Sequence, residues 1–305
     1  MIEESIADRY SQEQMRCPTH LSIGQEAVAV GVSSALRPDD FIMSNHRSHA
    51  HYLAKGGDLQ AMIAEIHGKA TGCSKGRGGS MHLLDLSVNM MGATPITGNS
   101  IPVATGIALT STLQNDKRIT VSYFGDGATE EGAFSESLNF AALKNLPIIF
   151  VCENNLYSAY TSIDVRQSKS RNLCEIAKAH GMFAKEGDGN NIEECSRLAQ
   201  EAVDFINNGN GPAFLKLNTY RYVEHCGPNY DTNLDYRSSE EFSDWKAKCP
   251  IETTQKKLIS ESLLSTEQLS KMRETIQEEI DLAFDFAKKS PLPEFDLDNE
   301  TMYAE

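Results

Sequence analysis

The run Ile119-Thr-Val-Ser-Tyr-Phe124, which leads directly into Gly125-Asp126-Gly127, decides the fold of this chain. The run is short, rich in β-branched and aromatic residues, and closed by glycine, which is typical of a buried strand in a parallel sheet. Asp126 is then expected at the carboxyl end of that strand. Open α/β sheets bind ligands in the crevice at these strand ends, and the flanking glycines let the backbone approach a ligand closely.

A second apolar run, Pro147-Ile-Ile-Phe-Val-Cys152, ends in Glu153-Asn154-Asn155. If this run is a neighbouring strand, the amide oxygen of Asn155 arrives beside the carboxylate of Asp126. Magnesium takes about six oxygen ligands and usually only one or two carboxylates, the rest being phosphate, carbonyl and water oxygens. Gly-Asp-Gly alone is also common in ordinary turns. Its pairing with Asn-Asn predicts that Asp126, Asn155 and a backbone carbonyl at Tyr157 hold magnesium and a diphosphate.

The composition excludes several classes of protein. The formal net charge of −15 over 305 residues argues against binding to nucleic acid or to anionic membranes. The seven cysteines are odd in number, scattered and without a Cys-x-x-Cys pair, so reduced thiols are expected rather than a disulfide framework or a zinc ribbon. No signal-peptide pattern opens the chain, and no apolar run is as long as a membrane span. We therefore expect a soluble, cytoplasmic protein.

Strand and helix patterns alternate along the chain, which predicts an α/β fold with a doubly wound parallel sheet. The pattern predicts strands at 41–43, 119–124, 147–152, 182–186 and 213–218, and helices at 25–36, 100–113, 129–144, 172–180 and 193–207. Residues 71–100 are expected to form a long glycine-rich loop.

The character of the sequence changes near Pro250. We expect residues 1–250 to form the α/β domain and residues 251–305 to form a helical C-terminal appendage. In the appendage, Ser265 and Gln268 predict a capping box at the start of an amphipathic helix that ends before Pro291.

Further motifs narrow the assignment. Four of them occur in order along the chain: His20-Leu-Ser-Ile-Gly-Gln-Glu26, Lys75-Gly-Arg-Gly-Gly-Ser-Met-His82, Ser137-Leu-Asn-Phe-Ala-Ala-Leu143 and Thr219-Tyr-Arg-Tyr222. Together with Gly125-Asp126-Gly127 and Asn154-Asn155, they make the chain from about Glu4 to about Pro250 resemble a known family. That family is the alpha subunit of the thiamine-diphosphate-dependent decarboxylating component of 2-oxo acid dehydrogenases, in the pyruvate and acetoin dehydrogenase branch. Since relatives carry more sequence ahead of His20, we expect a short first helix or a natural start other than Met1.

The resemblance implies the thiamine-diphosphate-binding fold, with thiamine diphosphate and Mg²⁺ as cofactors. It assigns to cofactor binding His46, Arg47, Pro95, Thr97, Gly125, Asp126, Gly127, Ala128 and Asn155, and to the metal Asp126, Asn155 and Tyr157. In this assignment Arg47 pairs with a phosphate oxygen through its fork of donors. The alternative for Arg47 is a solvated surface charge.

Histidines are the candidates for catalytic groups, since an unperturbed pKa of about 6.5 suits proton transfer at neutral pH. The resemblance implies active-site positions for His20 and His225, and His49 is a third catalytic candidate. His46, His49 and His51 also admit a transition-metal site, which the missing thiolate pair and zinc-site spacing disfavour. Purely structural roles for these three histidines are the other alternative.

Three departures from the family's pattern concern the site. The chain has Val223-Glu224-His225 where the pyruvate enzymes carry His-Gly-His, and Cys226 replaces a regulatory serine, so kinase control there is not expected. Glu130-Glu131 replaces the more usual Asn-Gln, and the extra negative charges should weaken diphosphate binding unless they point away. Pro95-Ile-Thr-Gly98 stands where relatives have Gly-Ile-Val-Gly, but its carbonyls survive, so contact with the aminopyrimidine is expected.

The resemblance also implies a partner. In this family a separate beta subunit supplies the glutamate that protonates the pyrimidine ring, and the sequence contains no second α/β domain to do so. We expect an assembly of two alpha and two beta chains. Its expected activity is to decarboxylate a small 2-oxo acid such as pyruvate, or to cleave acetoin, and to pass the acyl fragment to a lipoyl group on an acyltransferase.

Other functions stay open at this point. The altered loop 224–236 admits an acyl or ketol transferase (carboligase) that uses the same cofactor in a biosynthetic pathway. A non-catalytic homologue is a second alternative. An α/β domain for another nucleotide is disfavoured, because neither a Walker lysine nor a dinucleotide glycine fingerprint occurs. The sequence leaves open which 2-oxo acid and which acceptor are used, and whether a multienzyme complex forms.

Overall fold

A parallel sheet forms the centre of the computed structural model, which describes residues 1–294. The strands are β1 (Phe41–Asn45), β2 (Met90–Thr94), β3 (Thr120–Gly125), β4 (Ile148–Asn154), β5 (Tyr157–Ser158), β6 (Thr161–Ser162), β7 (Phe183–Asp188) and β8 (Ala213–Asn218). Six of them form the sheet in the order β2-β1-β3-β4-β8-β7, and β5 and β6 form a separate antiparallel hairpin. All neighbours in the large sheet are parallel.

Helices cover both faces of this sheet. They are α1 (Ile2–Tyr10), α2 (Glu26–Ser33), α3 (His49–Ala54), α4 (Leu59–Ile66), α5 (Ser100–Gln114), α6 (Gly132–Leu143), α7 (Ile163–Arg166), α8 (Leu173–Ala179), α9 (Ile192–Asn207), α10 (Ser239–Lys246), α11 (Pro250–Ser260) and α12 (Thr266–Lys289). Successive strand residues point to opposite faces, so the same strands build two cores. Val121 and Val151 pack with α2, α4, α9 and α12, whereas Phe124 and Phe150 pack with α5, α6 and α8. The predicted doubly wound α/β fold is confirmed.

The register of the central strands positions the site. Gly125 of β3 pairs with Glu153 of β4, so both strands end at one edge and Asp126 follows at that edge. From β1 the chain continues to β2 on one side, and from β3 it continues to β4 on the other side, so the strand order reverses between β1 and β3. The carboxyl ends of β1 and β3 border the crevice that such a reversal leaves open.

Two predicted elements differ from the structure. The predicted loop at 71–100 contains β2, a strand whose sequence includes glycine and which owes its extended form to pairing with β1. The predicted helix at 129–144 is a 3₁₀ turn, Asp126–Glu130, followed by α6. Glu131 separates them with an extended backbone, because its ψ is 142°.

The segment after Pro250 packs against the rest of the chain. The capping box is confirmed, since Ser265 Oγ accepts from the Gln268 amide at 3.1 Å and Gln268 Oε1 accepts from the Ser265 amide at 2.8 Å. α12 packs on α4 through the buried face that carries Ile280 and Phe284. The end of the predicted appendage, residues 295–305, lies outside the described residues. Within residues 1–294, none of the helices has the length and apolar character needed to cross a membrane.

Candidate functional site

A cavity of about 250 Å³ opens at the carboxyl ends of β1, β3 and β4. Its lining contains all of the predicted site residues except His49. These lining residues are His20, His46, Arg47, Pro95, Thr97, Gly125, Asp126, Gly127, Ala128, Asn155, Tyr157 and His225. The fold therefore brings together residues that are up to about 200 positions apart in the chain.

Asp126 is the buried carboxylate of this cavity, with 1% of its surface exposed. Its Oδ2 atom accepts a hydrogen bond from Arg166 Nη2, whereas Oδ1 has no hydrogen-bond partner among residues 1–294. Burial raises the pKa of the Asp126 carboxyl, and the Arg166 guanidinium opposes that rise. A buried polar atom without a partner costs free energy. The free oxygen therefore fits a site that a cation completes.

Asn155 brings the second oxygen to the same cavity. Its Oδ1 accepts from the Tyr157 amide at 3.2 Å, and its Nδ2 donates to Gln25 Oε1 at 3.4 Å, which fixes the direction of the side-chain oxygen. The phenol of Tyr157 donates to Glu241 Oε2 at 2.8 Å, so the side-chain oxygen of Tyr157 is engaged outside the predicted metal site. Carboxylate, amide and carbonyl oxygens are the donors that magnesium prefers.

The glycines that flank Asp126 have different roles. A Cβ atom at Gly127 would lie 2.7 Å from Ser158 Oγ, so only glycine allows the turn to approach the β5–β6 hairpin. A Cβ atom at Gly125 would have no described protein atom within 4 Å. The space beside Gly125 belongs to the cavity and is wide enough for a ligand to reach the backbone.

Arg47 is buried, with 4% exposure, so the alternative of a solvated surface charge is wrong. Its Nη1 donates to the Leu21 carbonyl at 2.6 Å and its Nη2 donates to the His225 carbonyl at 2.8 Å. Burial, together with the nearby Arg221, lowers the pKa of Arg47 to about 9, which keeps the guanidinium charged at neutral pH. Because these two acceptors are neutral, they do not cancel that charge, and an anion in the cavity would.

Three histidines from separate segments meet beside Arg47. The ring centroids of His20 and His46 are 4.7 Å apart, those of His20 and His225 are 5.0 Å apart, and those of His46 and His225 are 5.5 Å apart. Burial first, and then the charge of Arg47, lower the pKa of His20 to about 3, that of His46 to about 2 and that of His225 to about 4. At neutral pH these rings are therefore uncharged and can donate or accept hydrogen bonds.

His49 and His51 do not join this cluster. His49 is fully buried, with Nδ1 3.0 Å from Glu3 Oε1 and Nε2 2.8 Å from Ser80 Oγ. His51 bonds with Ser44 and Glu153. The helix start at His49 turns its ring away from the cavity, so its position does not support the predicted catalytic role. The alternative grouping of His46, His49 and His51 at one metal is not formed.

The glycine-rich segment 74–79 surrounds a carboxylate of the chain itself. Glu65 has no exposed surface, and its oxygens accept from the amides of Ser74, Gly76, Gly78 and Gly79 at 2.7–3.1 Å. These amides are therefore not available to a diphosphate. The segment instead positions Met81, which lines the cavity.

Arg166 is the site residue that sequence reasoning missed. It contacts both Asp126 and Glu130, and Gln167 Nε2 also donates to Glu130 Oε1 at 2.8 Å. The negative charge of Glu130 is thus paired with Arg166, so it is not left free to repel a diphosphate, as the sequence had led us to expect. The signal available in the sequence is the basic stretch Arg166–Arg171, which follows the Asn-Asn motif and is opposite in charge to Glu130-Glu131.

The sequence of the chain matches those of known proteins along most of its length. Residues 1–296 match the sequence family described as the dehydrogenase E1 component. The alpha subunit of acetoin:2,6-dichlorophenolindophenol oxidoreductase from Bacillus subtilis is 38% identical over 293 residues, which cover 96% of this chain and 86% of the relative. The pyruvate dehydrogenase E1 component subunit alpha from Zymomonas mobilis is 40% identical over 294 residues, covering 96% and 82%. The pyruvate dehydrogenase E1 component subunit alpha from Porphyra purpurea is 35% identical over 302 residues, which cover 96% of this chain and 86% of the relative. This chain belongs to the dehydrogenase E1 component family.

Proposed function

We propose that the chain is the alpha subunit of a thiamine-diphosphate-dependent enzyme that decarboxylates a small 2-oxo acid such as pyruvate, or cleaves acetoin, and transfers the acyl fragment to a lipoyl acceptor. One observation carries the proposal. Asp126 lines the same cavity as Asn155 and the cationic Arg47, and one of its buried carboxylate oxygens has no hydrogen-bond partner among the described residues. The names of the relatives, pyruvate dehydrogenase and acetoin oxidoreductase alpha subunits, supply the reaction class.

Membership of the family implies thiamine diphosphate as the cofactor. When bound, this cofactor supplies the electron sink that decarboxylation of a 2-oxo acid requires. We assign Asp126, Asn155 and the Tyr157 carbonyl to Mg²⁺. The residues that would hold the diphosphate and the aminopyrimidine are His46, Arg47, Pro95, Thr97, Gly125, Gly127 and Ala128.

The remaining residues of the cavity handle protons and negative charge. Arg47 contributes a permanent positive charge in a buried place, where it acts more strongly than in water. His20 has an Nδ1 atom that is buried and without a hydrogen-bond partner in the described part of the chain. Because this ring is neutral, it can accept or donate a hydrogen bond at an oxygen of the substrate. His20 and His225 are therefore our catalytic residues.

The relatives are named as alpha subunits, which implies a second type of subunit in the assembly. The carboxylates that line the described cavity are Asp126 and Glu153, and Glu153 contacts His51 at 3.2 Å. We therefore propose that a beta subunit supplies the acid for the pyrimidine ring in an assembly of two alpha and two beta chains. A lipoyl acyltransferase is the proposed acceptor of the acyl fragment.

The test is an assay of the chain co-purified with its beta subunit. With thiamine diphosphate, Mg²⁺ and an artificial electron acceptor, we expect turnover of pyruvate, another small 2-oxo acid or acetoin. Asp126→Asn should abolish it, whereas Asp204→Asn, an exposed carboxylate on α9, should not. No turnover of any of these substrates, or product formation only when an aldehyde acceptor is present, would replace this function with the inactive homologue or the carboligase.

A further inference from the structure

We propose that Arg166 is an internal counter-ion of Asp126 that an incoming divalent cation must partly displace, so that Arg166 lowers metal affinity and Glu130 raises it. The inference rests on the proposed function, because it concerns the same metal site. Arg166 is a positioning residue in this scheme, since it acts through the carboxylate of Asp126.

The first step is that the two carboxylate oxygens of Asp126 have different surroundings. Arg166 Nη2 holds Oδ2, whereas Oδ1 is buried and has no hydrogen-bond partner within residues 1–294. The Asp126 side chain is 1% exposed and that of Arg166 is 10% exposed, so water screens this pair only weakly. Arg166 therefore neutralises a buried carboxylate that would otherwise be uncompensated.

The second step is that Glu130 competes for the same guanidinium. Arg166 contacts Glu130 Oε1 through Nη1, and the planar fork of the guanidinium serves one carboxylate with each nitrogen. Gln167 Nε2 supports Glu130 at 2.8 Å, and Arg166 Nε donates to the Thr161 carbonyl at 3.0 Å. Glu130 therefore shares the charge of Arg166 with Asp126.

The third step is the effect of a divalent ion. A cation on Oδ1 would share one carboxylate with the guanidinium on Oδ2, and the two positive charges repel each other across it. Glu130 offsets this repulsion because its carboxylate contacts Nη1 of the same guanidinium and so shares its positive charge. The replacement of asparagine by Glu130 noted in the sequence is thus matched to Arg166, and the two residues form one unit.

The unit also joins two parts of the site. Arg166 ends α7, which directly follows the β5–β6 hairpin, and that hairpin begins with Tyr157. The contacts of Arg166 therefore tie the hairpin to the turn Asp126–Glu130. Metal binding that weakens the pair with Asp126 also loosens this tie.

The experiment uses the full chain with its beta subunit, stripped of metal, and titrated with Mn²⁺ while the electron paramagnetic resonance signal of free Mn²⁺ is followed. Each variant is titrated with and without thiamine diphosphate. We expect Arg166→Gln to bind Mn²⁺ about tenfold more tightly and Glu130→Gln to bind it about tenfold more weakly. In the Arg166→Gln background, Glu130→Gln should have a smaller effect, because Glu130 acts through the guanidinium.

Arg171→Gln is the matched control, since Arg171 contacts Thr129 in the same turn but neither Asp126 nor Glu130. It should leave the Mn²⁺ affinity unchanged. The metal-free Arg166→Gln protein should also melt at a lower temperature than wild type. Added Mn²⁺ should raise its melting temperature and so remove this difference.

Opposite shifts in the two single variants support the inference. Weaker binding in both variants would show that Arg166 only supports the fold, and equal binding in wild type and both variants would also overturn the inference while leaving the proposed function in place. A wild-type protein that binds no Mn²⁺ with or without thiamine diphosphate overturns both.

Discussion

Arg47 Nη2 lies 3.2 Å from Nδ1 of His225. A guanidinium can only donate, so His225 accepts at Nδ1 and, as a neutral ring, carries its proton on Nε2. The pKa of His225 is lowered to about 4 by burial and by Arg47, so the neutral form is the one present at pH 7. Arg47 therefore determines which tautomer of His225 is present in the cavity.

This relationship predicts different results for two substitutions of His225. His225→Gln keeps an amide donor near the Nε2 position, whereas His225→Asn places its amide near Nδ1. We expect His225→Asn to lower kcat by about 100-fold and His225→Gln to lower it much less. Steady-state kinetics with the co-purified beta subunit measures both. Equal losses in the two variants would show that the Nε2 proton is not used.

The low pKa of His225 also predicts how stability depends on pH. Its ordinary value is 6.5 and its folded value is about 4, so the unfolded chain binds more protons between these limits. The stabilising contribution is complete above pH 6.5 and is lost as the pH falls toward 4. Urea unfolding near pH 7.5 and near pH 5 should show a larger loss for wild type than for His225→Gln. Identical losses would contradict the lowered pKa.

The two glycines beside Asp126 predict a separation of stability from binding. Gly127→Ala forces Cβ against Ser158, so we expect a lower melting temperature, with partial rescue by Ser158→Gly. Gly125→Ala meets open space and has an extended φ of −81°, so the fold should keep its melting temperature. The methyl group of Gly125→Ala nevertheless enters the cavity, and calorimetry should detect weaker binding of thiamine diphosphate. Loss of stability in Gly125→Ala and not in Gly127→Ala would reverse this assignment.

The buried carboxylate of Glu65, which does not line the cavity, is expected to contribute strongly to stability. In Glu65→Gln the amide NH₂ group would face backbone N–H donors of segment 74–79, which leaves buried donors unpaired. We expect a loss of about 2–4 kcal/mol in the free energy of unfolding, measured with urea. Glu175→Gln, whose side chain is 63% exposed, is the control and should change little. A variant of Glu65 as stable as wild type would mean that the segment has other support.

Part of the site follows from local sequence and part does not. Asp126 and Asn155 could be paired in advance, because each follows an apolar run and parallel strands end at one edge. β2 could not be predicted from Met90–Thr94, since pairing with β1 makes that segment a strand. The contact between Arg166 and Asp126 depends on how the β5–β6 hairpin returns to the turn, which no periodicity encodes.

The histidines show the same limit. His46 and His49 are close in sequence, and both were predicted as site residues, His46 from the resemblance and His49 as a further histidine candidate. The structure separates them, because the start of α3 directs His49 toward Glu3 and Ser80. His20 and His225 reach His46 from distant segments, and only the folded chain brings these three rings together.

The contact from Arg47 to the main-chain carbonyl of His225 has an evolutionary consequence. A hydrogen bond to a main-chain carbonyl does not depend on the neighbouring side chains. Val223 and Glu224 can therefore replace the residues of relatives while His225 keeps its position. The loop around His225 can therefore change in sequence while His225 stays in the cavity. Such an arrangement lets one scaffold explore new substrates by small steps.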